Sequence, residues 1–194
     1  CNNASGLQEL DLSELYSDSP INFKNAFTGA FVEGTEITFN NLSFTDCTST
    51  FKNSKCTKVI FNNCNFDSVT TFTEMFMVSQ VETIMGLSDS KLAQVSWASC
   101  FARDSKLKNV NSDNGVVLKF NKSLSRNATS LFSQATEVEI ANVDMTEVTY
   151  GSVCSVFWNT TSSTSLKIGL PYELYKSSPK DIEDNRSTVL GGLT

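Results

Sequence analysis

The sequence predicts an α/β repeat solenoid of about six to seven repeats of ~25 residues, with short parallel strands facing short helices. Two regularities favour this fold. A phenylalanine recurs after an apolar pattern of constant spacing, and a short run of β-branched or aromatic residues follows it by about eight residues. The 40% share of hydrophobic residues is enough for a continuous core in a chain of 194 residues.

The apolar pattern is clearest in residues 67–76, where Val69, Phe72 and Met75 precede Phe76 by seven, four and one residues. Side chains at these spacings lie on one face of a helix, so we predict a short helix here. Six phenylalanines follow the same pattern and are predicted to be buried anchors: Phe31, Phe51, Phe76, Phe101, Phe132 and Phe157. Their spacings are 20, 25, 25, 31 and 25 residues, and the longest predicts an insertion at about 111–126.

The predicted strands begin at the N-terminus, where four leucines form the LxxLxLxxL pattern that is typical of a leucine-rich repeat. Later strands are predicted at residues 36–39, 58–61, 83–85, 108–111, 138–141 and 166–168. Alternate residues should point inward, and these are Leu10, Leu12, Ile37, Phe39, Val59, Phe61, Ile84, Val110, Val138, Ile140, Leu166 and Ile168. The expected architecture is therefore leucine-rich-repeat-like, with a parallel sheet, a layer of helices and the anchors between them.

We predict that the solenoid covers residues 1–169 and that residues 170–194 cap its last repeat. A Leu-Pro-Tyr sequence at 170–172 interrupts the strand pattern, and Pro179 with the acids after it is typical of a helix start. The N-terminus has no comparable cover, so we expect the chain to begin inside a longer repeat array. The alternative is that Cys1 is the lipid-anchored first residue of a mature bacterial lipoprotein.

Most enzyme chemistry is disfavoured by composition. The chain contains no histidine, so a Ser-His-Asp triad is impossible, and it has no phosphate-binding or dinucleotide glycine motif. We expect no enzymatic activity, no cofactor and no metal. A pair of carboxylates could still act as in a glycosidase. The candidates, each explained more simply as a turn or helix-start residue, are Asp67, Asp89, Asp104, Asp113, Asp144 and Glu147.

The net charge of −6 and the pI near 4.7 disfavour nucleic acid as a partner, because nucleic-acid binding requires a basic face. No apolar run approaches the ~18–20 residues of a membrane helix, so membrane insertion is not expected. Of the six cysteines, Cys47 and Cys100 occupy core positions of the repeat, which favours buried free thiols. One or two disulfides among Cys47, Cys56 and Cys64 are the alternative.

Binding is the expected role of such an array, because stacking presents one side chain per repeat on a common sheet face. The candidate binding face is this outward row: Asp11, Thr38, Ile60, Met85, Asn111, Ala141 and Lys167. Ile60 and Met85 give the row an apolar centre between polar ends, an arrangement that suits a protein partner. The alternative is that a neighbouring loop covers these two residues.

Residues 66–85 contain Asp67, the Val69-Thr70 pair, Phe72 and Met75-Phe76 in an order that resembles the BspA-like leucine-rich repeat family. The resemblance extends more loosely over residues 7–168. The cysteine that follows the anchor in the family is replaced by other residues here. The resemblance implies a secreted, cell-surface or virion-surface protein of a host-associated microbe or virus, with an array that serves in adhesion.

Three functions are therefore carried forward. The first is a non-enzymatic extracellular adhesion module that recognises a protein or glycan on a host or neighbouring surface. The second is a structural or receptor-binding domain of a larger chain or assembly, such as a virus or phage fibre, a capsid decoration or a surface filament. The third is a carbohydrate-active parallel β-helix, because the run at residues 59–63 also suits such a coil. A low helix content would favour the third.

Overall fold

The computed structural model describes residues 1–87, 96–103 and 106–107, together with the backbone of four short strands further along the chain. The described residues include seven strands, which are in chain order β1 (Glu36–Asn40), β2 (Lys58–Asn62), β3 (Thr83–Met85), β4 (Asn109–Val110), β5 (Leu118–Lys119), β6 (Val143–Asp144) and β7 (Ile168–Gly169). Strands β1–β4 form one sheet in sequence order, and β5–β7 form a second. All the registered pairs are parallel.

The first sheet is built from successive coils of the chain. Glu36 pairs with Lys58, Lys58 with Thr83, and Thr83 with Asn109, so one coil takes 22 to 26 residues. The strands at residues 36–39, 58–61 and 83–85 lie where the sequence predicts them, because alternating β-branched and aromatic residues suit a half-buried sheet. Their inward residues Ile37, Phe39, Val59, Phe61 and Ile84 are all buried.

The prediction of an α/β fold with helices is wrong, because the described part of the chain contains no helix. Residues 67–76 instead form turns on either side of an isolated bridge residue, Thr71, which pairs with Asp46 and Ser96. The Met75 amide donates to the Phe72 carbonyl oxygen three residues earlier (3.0 Å), while the Phe76 amide donates to Cys100 in the next coil (2.8 Å). Alternate amides thus bond within the turn and between coils. A helix would need every amide to bond four residues back.

Left-handed residues recur every fourth position of this turn segment, and this explains why its apolar pattern resembles a helix. The φ angles are 53° at Ser49 and 58° at Asn53 in one coil, and 56° at Glu74 and 60° at Val78 in the next. The backbone therefore repeats every four residues, close to the 3.6-residue period of a helix. In the coils of Phe51, Phe76 and Phe101, the residues one and four before the anchor are buried for this reason, although the backbone is not helical.

The anchors form a column of phenylalanine rings inside the turn segment. The ring centroids of Phe27 and Phe51 lie 5.4 Å apart, those of Phe51 and Phe76 5.3 Å apart, and those of Phe76 and Phe101 5.7 Å apart. The structure corrects the first member of the predicted series. Phe31 is buried but lies beside the column, tilted against Phe27 at 5.5 Å. The first anchor is Phe27, so the described coils are spaced by 24, 25 and 25 residues.

Each turn segment begins with a short polar side chain that the sequence analysis missed. The Asn22 Oδ1 accepts from the Lys24 amide (2.9 Å) and the Asp46 Oδ1 from the Thr48 amide (2.8 Å). The hydroxyls of Thr71 and Ser96 accept from the amides two residues later at 3.0 and 3.5 Å. All four residues lie five positions before an anchor phenylalanine. They compete for the backbone amides that would otherwise start a helix.

The N-terminal strand prediction is also wrong, since residues 7–15 contain no strand. Leu7, Leu10 and Leu12 nevertheless pack against the core as partly buried side chains, so their inward direction is as expected. The strand β4 falls within the predicted 108–111, and β5 falls within the predicted insertion. The predicted strand at 138–141, the anchors Phe132 and Phe157, and the C-terminal cap at residues 170–194 lie outside the described residues.

No helix in the described part of the chain is long and apolar enough to cross a membrane.

Candidate functional site

The outward face of the first sheet brings together three of the predicted binding residues. Thr38 pairs in register with Ile60, and Ile60 pairs in register with Met85. Because alternate strand residues point to the same face, the three side chains form one row across β1–β3. Each is half-buried, and the inward residues beside them are fully buried. The described row is therefore a strip that has a polar end at Thr38 and continues with the apolar side chains of Ile60 and Met85.

The other predicted members of the row are not brought into it by any described contact. Asp11 is exposed and lies outside the strands, where its Oδ1 accepts from the Ser13 amide at 2.8 Å. That hydrogen bond holds the pKa of the Asp11 carboxyl below its usual value. Asn111, Ala141 and Lys167 lie outside the described residues.

Two polar rows border the strip, and the sequence analysis did not identify them. On one side Glu36 pairs in register with Lys58, and the Lys58 Nζ lies 3.8 Å from a Glu36 carboxylate oxygen. On the other side the Asn62 Nδ2 donates to the Asn40 Oδ1 at 3.1 Å. Equivalent positions on neighbouring strands are about 4.8 Å apart, so like side chains can form such ladders. The alternation of polar and apolar residues along residues 36–40 and 58–62 would have located both rows.

The face offers hydrogen-bonding groups beside an apolar strip. Among the described residues, no group of three or more His, Cys, Asp or Glu side chains lies close enough to hold a metal ion. Of the six carboxylates considered as a glycosidase pair, Asp67 alone has a described side chain, and it is exposed. The geometry of this face therefore suits recognition of another surface.

The turn segment on another part of the coil carries a charged cluster. The Lys52 Nζ lies 2.7 Å from the Glu74 carboxylate, and the Ser49 hydroxyl donates to the same oxygen at 3.1 Å. The hydrogen bond from Lys52 is the main reason that the pKa of Glu74 lies below its usual value. Glu33 is held in the same way by Lys106, whose Nζ lies 2.6 Å from its carboxylate. Both pairs join residues of different coils, which makes them contacts that stabilise the stack.

The cysteines form no disulfide between the positions considered above, since Cys47 and Cys64 are free thiols. Burial raises the pKa of the Cys47 thiol far above its usual value, and the neighbouring Asp46 carboxylate adds to the effect. Cys56 and Cys100 are buried in the core as well. Cys47 and Cys100 therefore have the small hydrophobic role that their repeat positions predict.

Comparison of the chain with protein-family models, with curated proteins and with solved structures gives no match.

Proposed function

We propose that the chain is an extracellular binding or adhesion module that recognises a protein or glycan through the outward face of β1–β3. The observation that carries this proposal is the registered row of Thr38, Ile60 and Met85. Each coil adds one side chain to the row at a fixed spacing, so the face can match a flat partner over several contacts. The resemblance of residues 66–85 to BspA-like repeats supports an extracellular or surface location.

The polar borders fit the same role. An apolar strip flanked by Glu36 and Lys58 on one side and by Asn40 and Asn62 on the other has the arrangement of a protein-binding surface, in which polar groups surround an apolar centre. The remaining hydrogen-bond donors and acceptors of the Asn40 and Asn62 side-chain amides can also bond sugar hydroxyls. The partner class is therefore a protein or a glycan, and the charge of the chain disfavours a nucleic acid.

The test is a binding screen against a glycan array and a panel of purified extracellular matrix proteins and mucins. Met85→Glu places a charge in the apolar centre and should weaken binding to any hit by at least about tenfold. Met77→Glu is the matched control, because Met77 is also half-buried but lies in the turn segment. Binding that survives Met85→Glu and is lost with Met77→Glu would move the contact to the turn segment.

A second candidate, a carbohydrate-active parallel coil, is favoured by the absence of helix from the described residues. Parallel coils without helices are used by carbohydrate-active proteins. Enzymatic activity on a polysaccharide would distinguish this candidate from an adhesion module. The measurement is release of reducing ends from a panel of polysaccharides. Activity that disappears when two facing carboxylates are changed to amides would replace the adhesion proposal. Binding without release of reducing ends would support the adhesion proposal.

A further inference from the structure

The N-terminal segment, residues 9–20, holds the exposed large hydrophobic side chains of the described structure. Tyr16 is 77% exposed and Leu15 beside it is 36% exposed, and no other large hydrophobic residue in the described ranges is exposed. The phenylalanines of the same ranges are all buried. Adjacent exposed hydrophobic side chains on an otherwise well-buried molecule mark a site of interaction.

The backbone of the N-terminal segment is not paired with the coils. Every hydrogen bond that residues 9–20 make in the described structure stays within the segment, such as that from the Leu15 amide to the Leu12 carbonyl oxygen at 3.1 Å. Pairing with the next coil begins only at Ile21, whose amide donates to the Ser43 carbonyl oxygen at 2.8 Å. Leu10 and Leu12 attach the segment to the core through their side chains. Apart from the amides of Ser13, Leu15 and Ser19, which bond within the segment, its amides make no hydrogen bond in the described structure and can pair with an extended partner strand.

The charge of the segment is of one sign. Four exposed acids lie within ten residues, and no lysine or arginine precedes Lys24; the acids are Glu9, Asp11, Glu14 and Asp18. The Tyr16 hydroxyl donates to the Asp18 carboxylate, which keeps the ring beside a negative charge. A cation that approaches Asp18 therefore meets the edge of the exposed Tyr16 ring, so one basic side chain can make an ionic contact through its charge and an apolar contact through its stem.

We propose that residues 9–20 are a second docking surface, which binds an extended lysine- or arginine-rich segment of a partner protein through backbone pairing, the four carboxylates and the exposed Leu15 and Tyr16. Charge complementarity selects the partner, since the segment repels nucleic acid and anionic membranes. A second copy of this chain is disfavoured by its own net charge of −6. This surface is separate from the sheet face of the proposed function.

The test uses the full chain and a fluorescent synthetic peptide of alternating lysine and valine, which favours an extended conformation. Fluorescence anisotropy should show binding that weakens as salt is raised. Tyr16→Ser should weaken the affinity by about tenfold, because exposed tyrosines at interfaces contribute strongly. Tyr16→Phe keeps the ring and should bind within about threefold of the wild type. Circular dichroism of both variants should match the wild type, since Tyr16 is exposed.

Three controls separate this surface from simple attraction of opposite charges. A lysine–serine peptide of the same charge should bind about tenfold more weakly than the lysine–valine peptide. Glu36→Gln removes an exposed acid from the sheet face and should leave peptide binding unchanged, whereas Glu14→Gln should weaken it. Met85→Glu should also leave peptide binding unchanged, so that failure of the sheet-face proposal is distinguishable from failure of this one.

Equal binding of the two peptides, or unchanged binding by Tyr16→Ser, would overturn the proposal. Analytical ultracentrifugation of the chain alone supplies one further outcome. If the wild type self-associates and Tyr16→Ser is monomeric, the segment binds a second copy and the proposed partner class is wrong.

Discussion

The rings of Phe51 and Phe76 lie 5.3 Å apart with their planes within 2° of parallel. They belong to consecutive coils, and both side chains are fully buried. The amide of Phe51 donates to the Met75 carbonyl oxygen at 2.7 Å, so the backbone bond and the ring contact join the same two coils. This column keeps the coils in register, and the register in turn places Ile60 beside Met85 on the sheet face.

Val78 is predicted to destabilise the turn segment that contains it. Its φ of 60° is left-handed, a conformation that is unfavourable for a β-branched residue, while Gly29 and Asn53 occupy the corresponding place in the preceding coils. Val78→Asn should therefore raise the free energy of unfolding by about 1 kcal/mol. Asn53→Val should lower it by a similar amount. Urea denaturation of the two variants measures both, and a loss of stability in Val78→Asn would contradict the assignment.

Gly86 is predicted to be irreplaceable at the end of β3. Its φ is 84°, and a Cβ atom there would lie closer than 3.0 Å to the Phe61 carbonyl oxygen of the preceding coil. Gly86→Ala should lower the free energy of unfolding by more than about 2 kcal/mol. Gly6→Ala is the control, because a Cβ at Gly6 meets no atom within 4 Å, and it should change stability by less than about 0.5 kcal/mol. Equal thermal midpoints of the two variants would show that Gly86 and the Phe61 carbonyl oxygen are further apart than this structure has them.

The Lys52–Glu74 pair predicts a loss of stability at acid pH. The folded-state pKa of Glu74 is lowered, mainly by the hydrogen bond from Lys52, so the carboxylate stabilises the fold above its unfolded pKa of 4.5. This contribution is lost as the pH falls below 4.5 through the folded value. The side chains are about one-third exposed, so solvent screening limits the effect to at most about 1 kcal/mol. Stability curves of the wild type and Glu74→Gln should converge at low pH and differ at pH 7. If the two stability curves were separated by the same amount at every pH, ionisation of Glu74 would not be the source of the difference in stability.

The thiols should differ in reactivity according to their burial. Cys1 is exposed and should be alkylated first by iodoacetamide at pH 8. Cys64 is partly buried, and burial raises its pKa, so it should react more slowly. Cys47 should react only after unfolding, since burial disfavours its thiolate. Peptide mass spectrometry of native and urea-treated protein measures each site. Rapid native alkylation of Cys47 would show that the core opens.

The positions of β1–β4 could be predicted from the sequence, but the backbone of the turn segments could not. Strand residues such as Ile37 and Phe39 alternate with a period that only an extended chain buries on one side. The turn segments repeat every four residues, and over ten residues this period is hard to distinguish from that of a helix. Threonine, serine and asparagine at the start of each segment, such as Thr71, favour turns over helices and were the available indication.

The first anchor was misplaced for a related reason. Phe27 and Phe31 are four residues apart, so both fit a pattern that requires an apolar residue four positions before the anchor. The polar residue five positions before each true anchor distinguishes them, since Asn22 corresponds to Asp46 when Phe27 is aligned with Phe51. The leucines at residues 7–15 fit the LxxLxLxxL pattern of a repeat strand, and this pattern is the reason that the sequence predicts a strand there. Tyr16 is exposed because residues 9–20 make no backbone hydrogen bonds to the coils. Such an absence of pairing cannot be read from the local sequence pattern.

A double-mutant cycle on the phenylalanine column tests the central claim most directly. Phe76→Ala should lower the free energy of unfolding by about 3–5 kcal/mol, and Phe51→Ala by a similar amount. Because the two rings are in contact, the double variant should deviate from additivity by about 0.5–3 kcal/mol. Phe27 and Phe101 lie at opposite ends of the described column and should be additive within about 0.5 kcal/mol. Additive effects for Phe51 and Phe76 would contradict the stacking of successive coils.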